Sequence, residues 1–144
     1  MNVHQTLKAF QNNNSVIVLD KTFEPRGVDK LRLETGEDIF WILDGGALWL
    51  EIDPNAEEVT LFEGIEGEFE DSQERVFYAG DDYEFSYEGS ATILDEDGET
   101  MDKVSFRDFE KNGGSTLRLV EFESSGDMTA SLGMMVTEED LQEV

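Results

Sequence analysis

The chain has 144 residues, with 35 acids against ten bases, no cysteine and a single histidine, His4. That length suits one domain with a real core, and the composition excludes disulfide frameworks, thiol nucleophiles and multi-histidine metal sites. A net charge of −25 argues against nucleic acid and anionic membranes as partners, while ten Phe, two Trp and three Tyr argue against disorder.

Val3, Leu7 and Phe10 are spaced by four and three, which predicts a short helix within residues 1–14. Asn12, Asn13 and Asn14 stop it, because Asn competes with helical hydrogen bonding. Residues 15–144 then read as a single β-rich domain. The β-branched run 15–20 (SVIVLD) is the first strand, and Val28, Leu31 and Leu33 mark the second. Residues 38–44 (DIFWILD) are apolar on both alternations, as in a strand buried on both faces. Gly45-Gly46 turns the chain into 47–53 (ALWLEID), the clearest hairpin in the sequence.

Residues 59–62 follow as a strand, and 63–74 as an acidic connecting loop pinned by Ile65 and Phe69. Strands 75–79 and 83–87 form a second hairpin, with Tyr83, Phe85 and Tyr87 on one face. Short strands are expected at 91–94, 104–109, 117–122 and 128–135, and Thr137 heads an acidic final turn. About ten short strands with regular turns predict an all-β fold, a twisted two-sheet sandwich or a partly open barrel. The expected core is Val16, Val18, Ile39, Trp41, Leu43, Leu48, Leu50, Phe85, Ile93, Phe106, Leu117, Leu119 and Leu132.

The charge is uneven. Residues 51–100 hold eighteen acids and one base, Arg75. They are expected to form most of one acidic surface. Crowded carboxylates raise one another's pKa, so stability should be greater near about pH 5.5 than about pH 7.5 in low salt. Salt adaptation or plain solubility also accounts for such acidity.

No conventional catalytic constellation is present. The serines lack a histidine partner. Carboxylate pairs are so abundant that none singles itself out for glycoside chemistry. Asp95, Asp97 and Glu99, joined by Asp81 and Asp82 from another acidic turn, are candidate oxygen ligands for Ca²⁺ or Mg²⁺. They are not an EF-hand: Gly98 at the sixth position puts Ile93 at the first and Val104 at the twelfth. No glycine-rich phosphate loop occurs, and no cofactor is expected. Trp41, Trp49, Tyr83 and Tyr87 lie on strands near turns and are the candidate binding residues. Such aromatics, rimmed by acids, suit a basic peptide or a cationic amine.

The ordered set SVIVLD, FWILDGGALWLEID, an acidic linker, FYAGDDYEFSYEGSATIL, LRLVEFE and ASLGMMVTEEDL resembles the bacterial domain of unknown function family number 4178, over roughly residues 15–142. The resemblance implies a β-rich domain and carries no enzyme activity, cofactor or catalytic residue. It also implies association with envelope-related or polyamine-related genes. The expected function is a non-catalytic binding or adaptor module in the cytoplasm, engaging a basic protein or polycation. The alternative is a divalent-cation-binding or carboxylate-dependent hydrolytic enzyme.

Overall fold

A computed structural model describes residues 1–70 and 73–144. Helix α1 (Val3–Gln11) begins with a capping box, in which Asn2 accepts from the Gln5 amide and the Gln5 side chain accepts from the Asn2 amide. Strands β1 (Val16–Val18), β2 (Lys21–Phe23), β3 (Gly27–Leu33), β4 (Asp38–Leu43), β5 (Leu48–Asp53) and β6 (Glu58–Ile65) follow. The second half supplies β7 (Arg75–Tyr78), β8 (Asp81–Leu94), β9 (Thr100–Glu110), β10 (Thr116–Phe122), β11 (Met128–Val136) and β12 (Leu141–Glu143).

Of the two expected architectures, the barrel is the one formed. Eight antiparallel strands run in the order β3-β4-β5-β6-β11-β10-β9-β8, and β8 pairs back onto β3. Closure removes both open sheet edges. It rests on the pairs Lys30–Leu94, Leu31–Ile93, Arg32–Thr92 and Leu33–Ala91. The other half of the same β8 edge carries β7. A small separate sheet, β12-β1-β2, joins the two ends of the sequence.

Alternation divides the apolar residues into three groups. Leu31, Ile39, Trp41, Ala91, Ile93, Val104, Phe106 and Val120 fill the barrel. Outside it, Ile42, Leu50, Ile52, Val59 and Val136 are covered by Val3, Leu7 and Phe10 of α1 and by Val16, Val18, Phe23 and Leu141 of the small sheet. This explains why 38–43 is apolar on both alternations: Trp41 faces inward and Ile42 faces the helix side. Farther round, Phe109, Leu117, Leu119 and Ala130 pack with Val76 and Tyr83, and Ile65 and Phe69 join them.

Nine of the thirteen expected core residues are buried. Leu48, Phe85 and Leu132 are half-buried, and Leu43 is 38% exposed because it reaches one end of the barrel. The strands expected at 83–87 and 91–94 are one continuous β8. A register shift between Phe85 and Tyr87 hides this in the sequence, because the bulge reverses which alternate residues face inward.

β8 also determines where the acids lie. Asp81 and Asp82 open it, and Asp95–Glu99 follow its far end. The remaining twelve residues of the strand, 83–94, separate them, a path of about 40 Å. Asp81 and Asp82 therefore lie at one end of β8 and the acids of 95–99 at the other, rather than on the one acidic surface expected of residues 51–100.

Candidate functional site: an acid-rimmed barrel mouth over a buried ion cluster

The β4–β5, β8–β9 and β10–β11 turns and the end of β6 meet at one end of the barrel, as the strand registers require. A cavity of about 780 Å³ opens there. Trp41 and Trp49 line it, with Val120 and Ser131 beside them and Phe69, Phe122 and Met128 on its walls. Glu66 and Glu68 bring charge to it, and among the described residues no Lys or Arg lines it. The turns at that end of the barrel also carry Asp44, the acids of 95–99, Glu123 and Asp127, outside the cavity lining, with Arg26 beside Gly45 and Lys103 beside Glu123.

The tryptophans hold each other in place. Their ring centroids are 5.0 Å apart at 57°, and Trp49 stacks on Phe62 at 4.2 Å and 13°. Gly133 permits that stack, since a Cβ there would lie 2.5 Å from the Phe62 ring. Both indole N–H groups are satisfied by polar side chains. Trp41 Nε1 donates to Glu51 Oε1 at 3.0 Å, and Trp49 Nε1 donates to Ser131 Oγ at 3.1 Å.

Glu51 connects the mouth to a charged cluster inside the barrel. Arg118 of β10 reaches Glu51 of β5 at 2.7 Å and Asp108 of β9 at 2.8 Å. Their side chains are 6%, 16% and 13% exposed. The guanidinium is sandwiched by Phe62 and Phe106, whose ring centroids are 4.7 and 4.6 Å from its carbon. Burial opposes the Arg118 charge, but attraction to Glu51 and the hydrogen bond and attraction to Asp108 outweigh it and raise its pKa. One cation against two carboxylates leaves a formal excess of one negative charge beneath the mouth.

The other expected residues are dispersed. Tyr83 is 2% exposed, buried with Val76 and Phe109 in the outer core rather than offered for binding. Tyr87 is 49% exposed and contacts Phe106, its face reversed from that of Phe85 by the β8 bulge. The structure therefore brings together Trp41 and Trp49 but neither tyrosine with them.

The five candidate metal ligands are also divided. Asp81 pairs with Lys111 at 3.0 Å, and Asp82 lies 3.4 Å from Arg75. Asp95 lies at the opposite end, where it accepts from the Asp97 and Glu99 amides and shapes the turn. Among the described residues, no group of three or more His, Asp or Glu is arranged to hold a metal ion.

Sequence reasoning missed Glu51, Asp108, Arg118, Phe62 and Ser131. A faint signal existed: Arg118 interrupts a run of apolar residues, with Leu117, Leu119 and Val120 around it.

Comparison with protein-family models, curated proteins and solved structures finds no match. Among the described residues, no helix is long and apolar enough to cross a membrane.

Proposed function

We propose that this chain is a non-catalytic binding or adaptor module that engages a cationic partner, a basic protein segment or polycation, at the acid-rimmed mouth. The observation that carries the reading is the cavity itself: among the described residues that line it are two tryptophans, two glutamates and no base. Aromatic surface supplies contact area and acids supply attraction, as in other recognition sites for cations. The surplus of negative charge also speeds encounter with a basic partner and repels nucleic acid. Membership of the domain family number 4178 and a cytoplasmic location belong to this proposal.

The test is titration with decalysine, followed by tryptophan emission and calorimetry. Binding should weaken with salt, with the double variant Glu66→Gln/Glu68→Gln, and with Trp49→Leu. Binding that ignores both variants would place recognition elsewhere and refute the mouth as the site.

A further inference from the structure

We infer that the outer face of β3, β8, β9 and β10 binds a small zwitterion, a short chain with an ammonium at one end and a carboxylate at the other. This goes beyond the reading of the mouth and does not depend on it.

A cavity of about 720 Å³ lies on these four strands and shares no lining residue with the mouth. A second, of about 440 Å³, continues it and has Glu34, Ser90, Ser105 and Glu121 in common with it. Leu31, Ile93 and Val104 fill the barrel, so alternation turns Arg32, Thr92 and Lys103 outward onto this face.

The strand registers sort the outward side chains by charge. Arg32 stands opposite Thr92, and Thr92 opposite Lys103. Glu123, whose amide donates to the Lys103 carbonyl, ends that row. Two residues further along the strands, Ser90 stands opposite Ser105 and Ser105 opposite Glu121. Glu34 completes the second row and accepts from the Ser90 hydroxyl. One row therefore sets two bases about a hydroxyl, and the next sets two carboxylates about two hydroxyls. The rows are about 7 Å apart, because each residue of strand advances about 3.4 Å. Arg32 and Lys103 are two strand spacings apart, about 10 Å at the backbone, which leaves width for one carboxylate over Thr92. Glu34 and Glu121 are three spacings apart, about 14 Å, and their side chains reach inward to share one ammonium over the serines.

The charges are available. Among the described residues, neither Lys103 Nζ nor the Glu121 carboxylate has an ion-pair partner. Arg32 engages Asp38 through Nε and Nη2, which leaves its Nη1 donors unused. Two of the chain's ten bases stand in this one row.

The whole molecule's charge turns this pattern into selection. A lone anion is repelled by a chain of net charge −25, and a lone cation is drawn to acids all over it. A zwitterion carries no net charge, so it is held only where both signs stand at the right separation. A sugar or an aromatic ligand gains most from a ring to stack on, and no aromatic residue is among the described residues lining the larger cavity.

The experiment titrates the full chain, labelled with nitrogen-15, at neutral pH and constant ionic strength, and follows the amide shifts of Ser90, Thr92, Lys103 and Ser105. The probes are 5-aminopentanoate, diglycine, glycine, and the two half-ligands pentylamine and pentanoate. Diglycine in extended form spans about 7 Å, the row spacing, and 5-aminopentanoate has the same number of bonds between nitrogen and carboxyl carbon. Contacts between exposed charges are weak, so both should bind with Kd on the order of millimolar. Glycine, too short to reach both rows, and each half-ligand should bind at least tenfold more weakly at these amides. Lys103→Gln should erase the advantage of 5-aminopentanoate over pentylamine, and Glu121→Gln its advantage over pentanoate. Neither side chain carries a structural contact, so both variants should melt like the parent.

Pentylamine binding as tightly as 5-aminopentanoate, or shifts spread over the chain instead of gathered on this face, would overturn the site. Glycine binding as tightly would overturn the row spacing as the basis of selection. The two longer probes separate the sources of the zwitterion. Tighter binding of diglycine supports the two ends of a short peptide, and tighter binding of 5-aminopentanoate supports an amino acid with its amine at the far end.

Discussion

Replacing Arg118 with Met removes the only cation joining Glu51 and Asp108 among the described ion pairs. Methionine fills much of the volume between Phe62 and Phe106, so loss of packing is a small part of the effect. The main cost is electrostatic: two carboxylates, 16% and 13% exposed, remain inside the barrel without their partner. Breaking a buried ion pair from one side costs about 3–5 kcal/mol. With two acids stranded, the upper half of that range applies, against a total stability of about 5–15 kcal/mol. Unfolding entropy for a chain of this length is about 0.3 kcal/mol per degree, so about 4 kcal/mol lowers Tm by about 13 °C.

The loss should depend on pH with a definite sign. The penalty comes from negative charge left without its cation, so it should shrink as acid neutralises that charge. The triple variant Arg118→Met/Glu51→Gln/Asp108→Asn removes all three charges and should recover most of the lost Tm. Differential scanning calorimetry at about pH 7.5 and about pH 5 measures both effects. A single variant within about 1 kcal/mol of the parent, or a triple variant no better than the single, would refute this account of the barrel interior.

Gly133→Ala drives a Cβ into the Phe62 ring and should cost about 1–3 kcal/mol, with a shift in tryptophan emission because Phe62 stacks on Trp49. Ala79, exposed in the two-residue β7–β8 turn, has a φ of 51°. Ala79→Asn creates Asn-Gly there and should raise Tm by about 2–3 °C, the equivalent of about 0.5–1 kcal/mol. Burial raises the pKa of Asp29, so its charged form is penalised in the folded chain. Asp29→Asn should therefore stabilise at neutral pH, and thermal melts should show the gain vanishing as pH falls through the raised value. Asp38 behaves oppositely: a hydrogen bond from Arg32, helped by Lys30, lowers its pKa. Its contribution is present at neutral pH and disappears as pH falls through that lowered value, so the Tm gap between parent and Asp38→Asn should close in acid.

The fold was legible where the signal was local. The Val3, Leu7 and Phe10 stripe gave α1, and the apolar runs around Gly45-Gly46 gave the β4–β5 hairpin. Both alternations of 38–43 announced burial on two faces. Trp41 and Trp49 stand out as binding candidates because each lies on a strand close to that turn, and these two line the mouth. A strict period of two puts Tyr83 and Tyr87 on one face, but it cannot register a bulge. Composition unites Asp81, Asp82 and Asp95–Glu99, but it does not measure the length of strand between them.

By itself, then, the sequence determined the elements: a capped amphipathic helix, a succession of short strands and their turns, and a large negative charge. Each follows from interactions among residues close along the chain. Tertiary structure alone decided that Leu31 meets Ile93 to close a barrel, and that Arg118 reaches Glu51 across it. Such contacts are selected by the free energy of the whole packed arrangement. Sixty-seven residues separate Arg118 from Glu51, and its position in an apolar strand does not reveal the carboxylates that make its burial tolerable.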